Sequence, residues 1–273
     1  MVFEALINPM KAERRPWELF FIGIFYSSLA IVLSLWIFND HASLVMVFIT
    51  VLACVHIVYG VIQLEEEKGK TIMSESALFK EHGKALLLFT FLFLGFVVSF
   101  SLWYVFLPSE ALSNVFGVQQ QTITQINTQI TGGFTFSLTT FSKIFLNNIK
   151  VMIFCLLFAF FFGTGAIFIL SWNASVIGTA IGSFVKGSME SGGFVSAFSL
   201  GVMRYMTHGI FEIGAYFMVG LAGGIISIAI VKHEYGSEGF RHTLLDSLDL
   251  VIGSVVVLFV AGLIEVFVTP VLF

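Results

Sequence analysis

The stretch VMIFCLLFAFFFGTGAIFILSW occupies residues 151–172 and contains no charged side chain. Coiled as an α-helix at about 1.5 Å per residue, it is about 33 Å long, which matches the roughly 30 Å hydrocarbon core of a bilayer. A strand of a membrane barrel would alternate apolar and polar residues over about ten positions, and this run does not alternate. The stretch therefore predicts a membrane-crossing helix.

Similar runs lie on either side. Residues 18–38 and 42–64, separated by Asn39, Asp40 and His41, predict a helical hairpin, and 85–107 predicts a third span that stops at Pro108. Towards the C-terminus, 208–231 and 248–269 predict two more spans. The reading is an all-α polytopic transmembrane bundle of about six spans, forming one membrane domain over 1–273. Apolar character also continues through 174–206, too far for one upright crossing. A re-entrant hairpin or broken helix is predicted there, with breaks at Asn173 and at Thr207-His208-Gly209; such breaks are tolerated at depth only when protein or water surrounds them.

Composition agrees with a membrane location. Of 273 residues, 58% are hydrophobic and 11% charged, more apolar surface than one water-facing domain could hide. The net charge of -4 is spread over connecting segments, so no basic face for nucleic acid exists and membrane lipids are the natural surroundings. Cys54 and Cys155 sit in apolar runs without metal or redox spacing, which reads as packing. Lys11, Arg14 and Arg15 precede an apolar run with no small-residue cleavage site after it, so the first span is read as retained.

Two connections stand out. Residues 65–84 are dense in Glu and Lys and predict a solvated or surface-lying helical link. Residues 109–148 are rich in Gln, Thr, Asn and Ser and predict an extracytoplasmic polar loop lying against the membrane interface. The Lys/Arg bias then predicts cytoplasmic N- and C-termini in the cell membrane.

The strongest chemical signal is Arg204-Tyr-Met-Thr-His208-Gly-Ile-Phe-Glu212, which places three ionisable groups at i, i+4 and i+8. A lone charge at the bilayer centre costs roughly 2.5 to 3.5 kcal/mol, so these groups are expected to face protein and find partners. Glu265 in the last span is the natural additional member, and Asn173 and Asn148 complete a predicted polar intramembrane cluster. The cluster serves packing on one reading and titrates on the other. A zinc helix would need two histidines at i, i+4, which this segment lacks. His233, Glu234, Glu238, His242 and Asp246 have no recognised ligand spacing and read as a solvated loop. No metal and no cofactor are expected. His41, His56 and His82 read as turn, core and surface residues. Gly178 with Gly182, and Gly220 with Gly224, form small-xxx-small pairs for close helix packing, within the chain by default and between copies in a homo-oligomer as the alternative.

Phe145-Leu-Asn147-Asn148, the Gly-rich run leading to Asn173, His208-Gly-Ile-Phe-Glu212 followed by Gly220-Leu-Ala-Gly223, and Ile264-Glu265 before Thr269-Pro270 together resemble the stage II sporulation protein M family of integral membrane proteins. The resemblance covers roughly 141–270. The chain departs from the usual pattern at Thr207 and Gly214, where that family often has prolines. In spore formers, the resemblance implies a membrane partner of peptidoglycan-degrading proteins that remodels the envelope during engulfment. The leading expectation is a non-enzymatic scaffold or partner in envelope or membrane remodelling, with envelope-remodelling proteins as partners. The rival is a channel or proton-coupled transporter using His208, Glu212 and Glu265.

Overall fold

The computed structural model describes residues 9–71, 75–130, 138–232 and 237–272. A short α1 (Pro9–Arg14) leads into α2 (Glu18–Ile37), and one 3-10 turn (Asn39–His41) connects it to α3 (Ala42–Thr71). Next come α4 (Glu75–Phe106), α5 (Ser109–Ile130), α6 (Leu138–Phe162), α7 (Ala166–Gly192) and α8 (Phe194–Val231). The last rod is α9 (Glu238–Leu263), prolonged by a π-helical segment (Ile264–Val268) and by α10 (Thr269–Leu272). All the described elements are helical, and seven are long and apolar enough to cross a membrane.

The all-α polytopic bundle stands, with one span more than the sequence reading allowed. The predicted breaks are absent, and residues 174–206 belong to two long helices: α7 runs unbroken through Asn173 and α8 runs unbroken through Thr207-His208-Gly209. The Asn173 side chain donates to the Ile169 carbonyl 2.8 Å away, and the Thr207 hydroxyl donates to the Met203 carbonyl, so both polar groups are satisfied inside the helix they were expected to interrupt. The real break falls inside the opening stretch of sequence. Gly163 has φ +67°, a left-handed conformation that glycine adopts without strain, and it ends α6 before α7 begins. Gly193, with φ +74°, separates α7 from α8 in the same way.

The helix order sets the described chain ends at opposite ends of the bundle. One end gathers α1, the C-terminal turns of α3, the N-terminal turns of α4 and α9 and the close of α8. Lys68 meets Glu13 there, His82 meets Asp246, and Lys232 meets Glu66. At the far end Lys186 of α7 donates to the Leu107 carbonyl, just beyond α4.

The segment expected to be a polar loop, 109–148, instead carries α5 and the start of α6; its residues 131–137 lie outside the described set. Helix α5 docks on the bundle rather than lying flat beside it. Gln119 is fully buried: its amide donates to the Ser43 carbonyl (3.1 Å) and the Ser175 hydroxyl (3.2 Å), and its carbonyl oxygen accepts from the Ser43 hydroxyl (2.6 Å). Helices α2 and α4 cross where Gly23 faces Gly95, and above that crossing the Ser28 hydroxyl bonds Ser99 and accepts from the Trp103 indole.

Candidate functional site

Of the residues singled out by sequence, Asn148, Glu212 and Glu265 come together. They sit on α6, α8 and the π-helical segment. Asn148 Nδ2 donates to Glu212 Oε1, and the Glu212 and Glu265 carboxyl groups come within reach of each other. A carboxylate only accepts, so a carboxyl-to-carboxyl bond requires a proton on one partner. Sharing one proton would lower the cost of two carboxylates placed this close in a water-poor setting. The π-helical segment sets the rotation of Glu265, since an extra residue per turn re-aims side chains without ending the helix.

His208 lies one turn from Glu212 on α8, but its Nδ1 faces Thr269 Oγ1 at 3.2 Å. It closes the α8–α9 seam instead of pairing with Glu212. Arg204 stands over the Phe184 ring, 5.9 Å from the centroid, and Asn173 bonds its own helix, so neither belongs to the cluster.

The glycine pairs mark close approaches. A Cβ on Gly178 would lie 2.7 Å from Phe100 Cβ, and one on Gly182 2.6 Å from Tyr104 Cβ, both on α4. A Cβ on Gly220 would lie 2.8 Å from Ala166 Cβ, and one on Gly224 2.9 Å from the Gly163 carbonyl oxygen. All four contacts lie within one chain.

A second polar assembly lies at the other end of the bundle, where sequence reasoning expected solvated charge. His82, expected at the surface, is buried, with Nδ1 2.7 Å from Glu65 Oε2 and Nε2 2.8 Å from Asp246 Oδ2. Both ring nitrogens face acceptors, so both carry hydrogens and the ring is cationic. The other Glu65 oxygen binds Lys68 Nζ (2.8 Å), which also reaches Glu13 (2.6 Å) and Glu81 (3.1 Å). Burial pushes the Glu13 carboxyl above its ordinary value, with Lys68 opposing and Glu65 reinforcing that rise. Beside this assembly, fully buried Glu66 is held by Lys70 (2.6 Å) and Lys232 (2.7 Å). These contacts form a charged belt joining α1, α3, α4, α8 and α9.

A signal for the belt exists in the sequence. Val58, Val61, Ile62, Glu65 and Glu66 follow one helical stripe at i, i+3, i+4, i+7 and i+8, so the two glutamates continue a buried face. Of the residues expected to form a solvated loop with Asp246, His233 and Glu234 lie outside the described residues. Asp246 itself is in α9 and in the belt. No group of three or more His, Cys, Asp or Glu side chains suited to a metal ion occurs among the described residues.

A family described as Stage II sporulation protein M matches residues 85–270, which is more than half of the chain and includes Asn148, His208, Glu212 and Glu265. No curated protein and no solved structure matches.

Proposed function

The chain belongs to the stage II sporulation protein M family, and from that premise we propose that it is a non-enzymatic multi-pass scaffold for envelope- or membrane-remodelling partners. The observation that carries this reading over transport is the way Glu212 is held. It accepts from Asn148 of α6 and lies beside Glu265, between α6 and α8 helices that run unbroken past it. The π-helical turn at Glu265 and the shared proton favour the rival reading, a proton-coupled path, and one experiment separates the two.

Purified protein in vesicles loaded with a pH-sensitive dye is expected to add no proton flux to that of empty vesicles. Glu212→Gln is expected to assemble like the wild type, because an amide keeps the shape and can donate the hydrogen that the carboxyl pair shares. A proton flux that disappears in Glu212→Gln would overturn the scaffold reading.

The same proposal includes an orientation. The belt end carries Arg14, Arg15, Lys68, Lys70, Lys80, Lys84, Lys232 and Arg241, against Lys143, Lys150, Lys186 and Arg204 towards the far end. By the positive-inside rule the belt end is cytoplasmic. The N-terminus then lies inside, and the C-terminus and α5 lie outside. Ser113→Cys, on the exposed side of α5, is expected to react with an impermeant thiol reagent in intact cells, and a reporter on the C-terminus is expected on that same side. A C-terminal reporter on the N-terminal side would refute seven crossings.

A further inference from the structure

Helix α8 is longer than a membrane is thick. Its 38 residues extend about 57 Å at about 1.5 Å per residue, against a hydrocarbon core of roughly 30 Å. Its inner end is fixed at the belt, where Lys232, just past it, binds Glu66. From Ala215 to Ile225 every residue of α8 is buried in the bundle, and the helix opens to its surroundings farther out. Two other helices mark where the hydrocarbon ends. Ser43 of α3, bonded to the buried Gln119, precedes the belt residue Glu65 by twenty-two positions, about 33 Å of helix. On α6, Lys143, Asn147 and Lys150 are all exposed, a polar set that belongs among headgroups or in water. Asn148 beside them bonds Glu212, which precedes Lys232 by twenty residues, about 30 Å.

From that level outward α8 carries a stripe formed by Ser196, Leu200, Met203, Thr207 and Ile210, at successive spacings of four, three, four and three residues. Leu200, Met203 and Ile210 are 46%, 59% and 44% exposed. Ile210 precedes Lys232 by twenty-two residues, about 33 Å, and the rest of the stripe lies farther out. Lipid tails do not cover side chains there, and a row of apolar groups left in water marks a contact surface. The spacing is that of the seam positions in a parallel two-stranded coiled coil, about 3.5 residues on average. Copies of one chain inserted in the same direction pair about an axis along the membrane normal, which sets their α8 helices parallel and each stripe residue opposite its counterpart. No charged side chain lies in the stripe. Arg204 flanks it, over the Phe184 ring, and in a parallel pairing faces Ser199 of the second copy, so no like charges meet. We propose that the chain forms a parallel homodimer through the outer half of α8, with Leu200, Met203 and Ile210 in its seam. This face is separate from the Gly178, Gly182, Gly220 and Gly224 contacts, which lie within one chain. The dimer goes beyond the scaffold reading and does not depend on it, since it needs no other protein.

The test is disulfide trapping of the full-length protein in membranes. Leu200→Cys, Met203→Cys and Ile210→Cys are each expected to give a covalent dimer on mild oxidation, while the natural Cys54 and Cys155 are buried and stay silent. Val195→Cys is the control. Val195 is 76% exposed, more than any residue of the seam, but points about 100° away from Ser196 and is expected to give little dimer. Light scattering in detergent should give the wild type the mass of two chains. Met203→Glu, which sets two carboxylates opposite each other, should give the mass of one. Trapping as strong at Val195 as at Met203 would indicate random collision and overturn the dimer. A wild type with the mass of one chain would overturn it too, as would stripe cysteines trapped only to a different protein.

Discussion

Replacing Gly95 with leucine is expected to prevent the bundle from assembling. At this crossing of α2 and α4 even a methyl group has no place, because a Cβ on Gly95 would stand 2.3 Å from the Phe20 carbonyl oxygen and 3.1 Å from Gly23 Cα. Those atoms belong to backbone, which cannot rotate aside as a side chain tip can. Relief requires the helices to separate, and separation takes Ser28 away from Ser99 and Trp103. Overpacking inside a core typically costs about 1 to 3 kcal/mol when side chains can yield, and a backbone collision lies at or beyond the upper end. Helix association in lipid depends on such close packing, because no hydrophobic drive distinguishes a neighbouring helix from lipid tails. Size-exclusion chromatography of detergent-solubilised Gly95→Leu should show loss of the monodisperse species. Gly214→Leu is the control: it sits on α8 with open space around its missing Cβ and is expected to elute like the wild type. Equal behaviour of the two variants would refute a packing role for the crossing.

His82→Leu has the second largest expected effect. The imidazolium stands between Glu65 and Asp246, and its removal leaves both carboxylates facing an apolar side chain, with Glu65 fully buried. Breaking a buried charge assembly by deleting one member costs about 3 to 5 kcal/mol, mostly the penalty of the charge left behind. Thermal unfolding in detergent should therefore shift strongly downward. Replacing Glu65, His82 and Asp246 together with leucine is expected to recover part of the loss, since no orphaned charge of the triad remains. A single His82→Leu variant with unchanged unfolding would show that the triad is not under this electrostatic constraint.

The parts of this protein legible in its sequence were those written as long apolar runs. The run at 151–172 announced a membrane helix but hid a turn, because Gly163-Thr164-Gly165 is apolar enough to pass as helix interior and only its backbone geometry reveals the reversal. Asn173 and Thr207 misled in the opposite direction: polar residues inside apolar runs suggested breaks, but each bonds a carbonyl of its own helix. Glu212, Glu265 and Asn148 were identifiable as residues needing partners, since burying an ionisable group unpaired is costly. Their grouping needed three helices in place, and His208 turned to Thr269 because the π-helical segment brings that hydroxyl to it. His82 read as a surface residue because charged neighbours surround it in sequence. In space those neighbours fold inward around it, and only the helical stripe from Val58 to Glu66 hints that they do.

The turn at Gly163 also shapes the molecule as a whole. The turn packs against Gly220 and Gly224 of α8, short of the belt contacts, so five long helices reach the belt and seven run side by side farther along the bundle. The helix bundle is therefore built of fewer helices at the belt end than at the other, and its cross-section changes along its axis with that one turn.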